Sequence, residues 1–293
     1  MKKVSVIINF HNAEKFLDQS ITSVLSQNYK NFELILWDNC SNDKSKEICD
    51  RFKDRRIKYF YKSKKTTLYK ARNLAIKATK GDLIAFLDSD DWWHKNYLSS
   101  RQKFFNKKKY DYFYCNSNIV LEEKKNIFLY KKFNLPNGKI LDELARDYFI
   151  IISGVIFRKK IFDEQGYFNE SLNIIGDYDF IIKISDSYNA HSSNYPYLNY
   201  RIHKNNYSKL NLKIFYLEYK RWFKMNSNFN FFKNNINHFS NKLDYHELNY
   251  LLQNKKKKIY ILKKIFKLKN FLNTVQFLIL FFIPKIFYQF IKK

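Results

Sequence analysis

Residues 86–93 read FLDSDDWW. Three carboxylates fall within four positions at the end of an apolar run, in a chain with twice as many basic as acidic residues. Like charges this close repel, so something must offset them. In an extended segment, residues two apart point the same way, which puts Asp88 and Asp90 on one side across Ser89. Two hard oxygen donors so arranged suit Mg²⁺ or Mn²⁺, with phosphate oxygens completing the shell. The competing use of these residues is local: Asp90 or Asp91 caps a helix that begins near Trp92. A second acidic cluster, Asp177 and Asp179 in GDYDF, opens a helical pattern. There, on sequence alone, the commoner role of a carboxylate is an N-cap.

Alternating periodicities show how the chain positions these groups. VSVIIN (4–9), FELILWD (32–38), RIKYFY (56–61) and DLIAFLD (82–88) have strand length and character. Between them, residues 13–27, 45–53 and 67–79 repeat apolar side chains at helical spacing, with Asn12 as N-cap of the first and Gly81 ending the last. This alternation predicts an α/β fold with a Rossmann-like, mostly parallel sheet and flanking helices. Ligands of such sheets bind beyond the carboxyl ends of the strands. Strand one ends in Asn9-Phe10-His11-Asn12, strand two in Asp38-Asn39-Cys40-Ser41, and strand four in Asp88-Ser89-Asp90-Asp91. The three polar clusters should meet at one edge. Further strands are predicted at 111–120, 152–158 and 195–203, and helices at 141–149 and 176–188. Beyond Ser208 the pattern is helical, aromatic and lysine-rich.

The formal net charge of +27 points to anionic partners. Hydrophobic content of 45% is ample for a core, and with few Gly and Pro it excludes a disordered chain. Cys40, Cys49 and Cys115 form no C-x-x-C pair, so neither a zinc site nor a disulfide framework is expected and a reducing cytoplasm fits. The apolar run of the first residues is too short for a signal peptide and reads as a strand.

Four segments in order, VSVIINFHN, SVLSQNYKNFELILWDNCSND, ARNLAIKATKGDLIAFLDSDD and GYFNESLNIIGDYDFIIKIS, resemble the successive motifs of glycosyltransferase family 2. The resemblance covers roughly residues 4–208. It implies a GT-A fold, a nucleoside-diphosphate sugar donor, a Mn²⁺ or Mg²⁺ cofactor, and inversion at the anomeric carbon. Asp90 then matches the metal-binding aspartate, Asp88 supports it or touches the ribose, and Ser89 lies between them. Asp91 is assigned the cap. Arg72 matches the arginine beside the donor phosphates. Phe10 and His11 lie where the family meets the base, and Asp38-Asn39 matches its base-reading acidic pair, with Asn in the second place. An amide both donates and accepts, so a UDP- or dTDP-type donor is favoured. Asn9 stands where the family commonly has proline. Asp177 is the expected general base, with Gly176 in place of a preceding acid. His203, in YRIH, is a candidate contact to metal or diphosphate; Arg201 and Lys183 read as solvated or ion-paired.

These expectations divide the chain into a catalytic domain, 1–208, and a helical membrane-association region, 209–293. Within the former, the nucleotide-sugar half ends near 110. Residues 255–293 hold eleven lysines and no acid. Ile261, Ile265, Leu268, Leu272, Val275 and Ile279 share one helical face, and the run FLILFFIP is too short to span a bilayer. This predicts a basic helix on an anionic membrane surface, a peripheral protein at the inner face of the cytoplasmic membrane, and a glycan or lipid-linked acceptor of cell-surface polysaccharide synthesis. Two other classes compete. A metal-dependent nucleotidyltransferase should lack the base at Asp177. A nucleic-acid binder would explain the charge, but no RNA-binding fingerprint accompanies it, and no nucleic-acid partner is expected.

Overall fold

The computed structural model describes residues 2–253, 258–266 and 278. The chain divides into two compact units, Met1–Lys204 and Asn205–Lys293. The first opens with β1 (Val4–Phe10), α1 (Leu17–Leu25), β2 (Phe32–Asp38), α2 (Ser45–Arg51), β3 (Ile57–Tyr61), α3 (Leu68–Lys77) and β4 (Leu83–Phe86). Every residue of β1, β2 and β4 is buried, as expected of strands covered on both faces. Helix α1 buries Leu17, Ile21 and Val24 along one stripe. Helix α3 starts where the Thr67 side chain accepts from the Lys70 amide.

β1 pairs in parallel with β2 on one side and β4 on the other, and β2 pairs in parallel with β3. The chain leaves β1 toward β2 and, after β3, returns to β4. The boundary between β1 and β4 is therefore the switch point of the sheet, where a crevice opens beyond the strand ends.

Past β4 come β5 (Trp92–Trp93), α4 (Gln102–Phe105), β6 (Tyr112–Leu121), β7 (Asn126–Leu129), α5 (Leu141–Arg146), β8 (Val155–Arg158), α6 (Lys160–Gln165), α7 (Gly176–Ser185) and β9 (Ala190–Ile202). Strand β8 runs antiparallel to both β4 and β6, and β9 lies parallel to β6. The sheet order is β3-β2-β1-β4-β8-β6-β9-β5, with β7 joined to β6. Its longest ladders are parallel, so the sheet is mostly parallel by paired residues.

Two local expectations fail. Asn12 does not cap α1, which begins at Leu17 with Phe16 in the cap position. Instead Asn12 takes a left-handed turn, φ 54°, and ties the ends of β1 and β2 together. Its amide donates to Ser41 Oγ at 3.0 Å and its side chain accepts from the Asn42 amide at 2.9 Å. No helix begins at Trp92 either, since Trp92 and Trp93 pair with β9.

The second unit is helical: α8 (Tyr207–Leu210), α9 (Leu212–Asn226), α10 (Asn230–Asn234), α11 (Ile236–Gln253) and α12 (Lys258–Ile265). Tyr219, Trp222, Phe232, Phe239 and Leu248 are buried in it. Ile261 and Ile265 pack on Leu248 with Tyr245, Leu251 and Leu252, and Lys264 pairs with Asp244 and Glu247. The start of the apolar stripe thus faces α11. Leu268, Leu272, Val275 and Ile279 lie outside the described residues. Among the described residues, no helix is long and apolar enough to cross a membrane.

Glu33 on β2 is the main buried charge under the sheet. Its oxygens accept from Ser5 Oγ and the Lys80 amide, both at 2.6 Å, and from the Lys3 and Lys58 ammonium groups. Burial alone would raise its carboxyl, but Lys58, Ser5, Lys80 and Lys3 together hold it at about 2. A lowered carboxyl contributes stability that is full above its unfolded value and lost as pH falls through the folded one. Glu33→Gln is expected to cost about 3 kcal/mol at neutral pH. In denaturant unfolding, the gap to the parent should close as pH falls from 4.5 toward about 2.

Candidate active site

The aspartates after β4 do not share one environment. The Leu87 amide still bonds to Ile7 on β1 at 3.0 Å, after which the chain turns, the Asp91 amide reaching back to the Asp88 carbonyl at 3.0 Å. Asp88 forms an ion pair with Arg72 of α3 and keeps 36% of its side chain exposed, against 3% for Arg72. Burial of its surroundings raises the Asp88 carboxyl; the Arg72 guanidinium pulls it down, and the charges of Asp90 and Asp177 push it up again, leaving it above its ordinary value. Asp90 Oδ2 lies 3.0 Å from His203 Nε2, just past β9. Asp91 is buried, accepting from Ser153 Oγ at 2.7 Å and from the Arg201 amide at 2.9 Å. Burial, then the charges of Asp90 and Asp88, push its carboxyl well above the usual range. The expected helix cap is therefore corrected: Asp91 anchors the loop to β9 and to the turn before β8.

Sequence reasoning missed the anchors. Arg201 is ion-paired, one of the two roles expected of it, and it also anchors the loop. Its Nε donates to the Asp90 carbonyl at 2.9 Å, it pairs with Glu122, and its guanidinium lies over the rings of Phe16 and Trp92 at 4.3 and 4.5 Å. Ser20 of α1 donates to the carbonyls of Ser89 and Asp91. The available signal was a hydroxyl inside the apolar stripe of α1, between Leu17 and Ile21.

Asp177 stands in the first turn of α7. Its Oδ1 accepts from the Tyr69 hydroxyl at 2.7 Å, and the same hydroxyl lies 3.0 Å from the Ile174 carbonyl. Tyr69 and Arg72 occupy one face of α3, a turn apart, with the guanidinium 5.3 Å from the Tyr69 ring. Tyr69 is fully buried, and burial followed by the Asp177 charge pushes its phenol well up, so it stays a donor. Gly176 makes this contact possible, because a Cβ there would meet the ring at 2.5–2.6 Å. Asp179, the alternative acid, is buried with Lys183 Nζ at 2.8 Å.

At the switch point, Asn9 faces Trp37 across the β1–β2 ladder. Both amide atoms of Asn9, Trp37 Nε1 and His11 Nδ1 are buried with no hydrogen-bond partner. Unpaired buried groups are costly, and these belong to residues at the carboxyl ends of β1 and β2. Asp38 is fully buried, accepting from the Ser41 amide at 2.8 Å and the Tyr59 hydroxyl at 2.8 Å. Asn39 brackets Thr66, donating to its carbonyl and accepting from its amide and hydroxyl. Phe10 sits in the core with 4% of its surface exposed, so its backbone, not its ring, reaches the edge. A separate groove of about 640 Å³, lined by Lys2, Tyr29, Lys103 and Phe105 among others, gathers no carboxylate.

The sequence model of Glycosyl transferase family 2 matches residues 5–166. The chain belongs to this family. Among curated relatives, the Escherichia coli UDP-Glc:alpha-D-GlcNAc-diphosphoundecaprenol beta-1,3-glucosyltransferase WfaP is 37% identical over 123 residues, 42% of this chain and 48% of that protein. The chain spans between about a fifth and three fifths of the length of the curated relatives it matches. S. aureus TarS 1–349 in complex with UDP-GlcNAc superposes with a TM-score of 0.67 at 18% identity, over 95% of this chain and 81% of that one. The mannosyltransferase PcManGT from Pyrobaculum calidifontis, in complex with GDP-Man and Mn²⁺, superposes with 0.62 at 13% identity, over 93% and 77%. These likenesses establish the GT-A fold.

Family-2 enzymes commonly use a divalent metal. Among the described residues, no group of three or more carboxylate, imidazole or thiol ligands converges. Asp90 and His203 offer two, at 3.0 Å from each other. That separation suits adjacent ligands of an octahedral cation bound at about 2.1 Å, which keeps waters and takes phosphate oxygens for the rest. The donor set fits.

The Gly176–Tyr69 contact gives a direct test of this family-2 site. Gly176→Ala should cost roughly 1–3 kcal/mol by overpacking. Adding Tyr69→Leu should recover part of that loss, because the two positions share one volume. Thermal unfolding of both single variants and the double variant measures the coupling, and strict additivity would refute the contact.

Proposed function

We propose that this protein is an inverting glycosyltransferase that moves a sugar from a UDP- or dTDP-type donor to a hydroxyl of a lipid-linked glycan acceptor, in cell-surface polysaccharide synthesis at the inner face of the cytoplasmic membrane. The carrying observation is that α3 connects the two halves of the site: Arg72 on Asp88, and Tyr69 on Asp177. The named substrates of WfaP, a UDP-sugar and a diphospholipid-linked acceptor, support the donor and acceptor classes. The UDP-GlcNAc bound by TarS agrees with the former.

In this reading Asp177 accepts the proton of the acceptor hydroxyl on the oxygen that Tyr69 does not hold. The acceptor oxygen bonds to the anomeric carbon as the bond to the diphosphate oxygen breaks. Arg72, fixed by burial between the rings of Tyr69 and Phe86, holds the charge that develops on the leaving diphosphate. Asp90 and His203 would hold the divalent cation, which supplies further neutralisation of that diphosphate. A single displacement is favoured because Asp88 is bound to Arg72 and Asp91 is buried, which leaves neither as a nucleophile for a covalent intermediate. The orphaned polar atoms of Asn9, His11 and Trp37, with Asp38 and Asn39 beneath them, line the approach for base and ribose. Ser89, its carbonyl fixed by Ser20, completes the loop beneath the diphosphate.

Calorimetry with UDP, with and without Mn²⁺, should show metal-dependent binding that Asp90→Asn weakens by roughly tenfold or more. Asp177→Asn should keep UDP affinity within about twofold. Its transfer from UDP-glucose to a synthetic GlcNAc-diphosphate lipid should fall by roughly 10²–10⁴. Transfer by Asp177→Asn at the parental rate would remove the base assignment.

A further inference from the structure

Among the described residues, strand β7 is an edge strand that pairs only with β6. All four of its residues are exposed: Ile127 by 63%, Phe128 by 47% and Leu129 by 37%, with Phe133 at 48% just beyond it. Side chains alternate across a strand, so Ile127 and Leu129 occupy one face and Phe128 the other. Among the described residues, the strand is therefore apolar and uncovered on both faces, whereas its partners Ile119 and Val120 on β6 are buried. Natural edge strands blunt such a surface unless it meets a partner.

The charges on either side identify that partner. Lys124 and Lys125 form the turn before β7, and Lys132 follows it; all three are exposed, with Glu123 the exposed acid beside them. Glu122 is held by Arg201 and Lys15, and Lys131 by Asp147. Apolar side chains bracketed by cations on flexible stems match the boundary between lipid chains and anionic headgroups. Pairing with a second copy is disfavoured by the same charges. An antiparallel β7–β7 ladder centred on Phe128 would set Lys124 of one copy opposite Lys132 of the other, and like charges placed opposite are destabilising.

We infer that the β6–β7 hairpin inserts Ile127, Phe128 and Leu129 into an anionic lipid surface, with Lys124, Lys125 and Lys132 at the headgroups. The hairpin turn begins just past β6 with Glu122, the residue that pairs with Arg201, whose Nε donates to the Asp90 carbonyl. Docking there sets the mouth of the site beside the membrane; that consequence rests on the lipid-linked acceptor proposed above, whereas the docking itself does not.

The test uses the full chain and vesicles, so it is independent of donor and acceptor. Flotation with phosphatidylglycerol–phosphatidylethanolamine vesicles should carry the protein, and phosphatidylcholine alone should carry less. The triple variant Ile127→Ser, Phe128→Ser, Leu129→Ser should lower the partition coefficient by roughly tenfold or more. Leu217→Ser, an exposed apolar position on α9, should leave it unchanged. Phe128→Trp should show added quenching by brominated lipid over the native tryptophans, three of which are buried. Added quenching with loss of partitioning in the triple variant supports the inference. Unchanged partitioning in the triple variant, absence of added quenching, or lipid-free dimerisation abolished by the triple variant overturns it.

Discussion

Three carboxylates in four residues can coexist at the end of β4 only if each meets a different counterpart. Asp88 meets a buried guanidinium, Asp90 an imidazole, and Asp91 a hydroxyl and a backbone amide. Those counterparts come from α3, the end of β9 and the turn before β8, so the loop fixes where these elements lie relative to β1. Arg201 shows the extent of the dependence. Its backbone serves Asp91, its side chain serves the Asp90 carbonyl, and its charge is balanced by Glu122 at the root of the hairpin. A guanidinium suits this position because it offers several donors in a fixed plane and stacks on aromatic faces.

Helix α3 carries this arrangement across the site. Arg72 and Tyr69 lie one turn apart and reach carboxylates on opposite sides of the crevice. The departure from the family pattern at Gly176 has a physical counterpart here. With no side chain at 176, the Tyr69 ring moves against the start of α7 and its hydroxyl holds Asp177 directly. Burial holds the Tyr69 ring, and its hydroxyl in turn fixes the direction of the Asp177 carboxylate.

The net charge is distributed with the same economy. Several lysines are consumed inside the fold: Lys58 and Lys3 on Glu33, and Lys264 on Asp244 and Glu247. The apolar positions of the basic tail that fall in α12 pack on α11. The lysines flanking β7 differ from these: Lys124, Lys125 and Lys132 are exposed beside the exposed apolar side chains Ile127, Phe128 and Leu129.

Local periodicity determined the strands and helices of the first half, because a strand buried on both faces and a helix buried along one stripe leave unmistakable spacings. With the rule that ligands gather beyond strand ends, this also placed Asp38, Asp88 and Asp90 at one edge, whereas Arg72 was singled out by the resemblance to the family motif. The tertiary structure alone decided which polar side chains satisfy one another. Asp90 and His203 are 113 residues apart, Asp91 and Arg201 110, and Tyr69 and Asp177 108. His203 reaches the loop because β9 runs along β6 through two register shifts near Asn116, which no periodicity encodes. Asn12 and Asp91 were misread for the same reason. A short polar side chain can cap the next helix or bind a distant backbone, and sequence displays only the nearby choice.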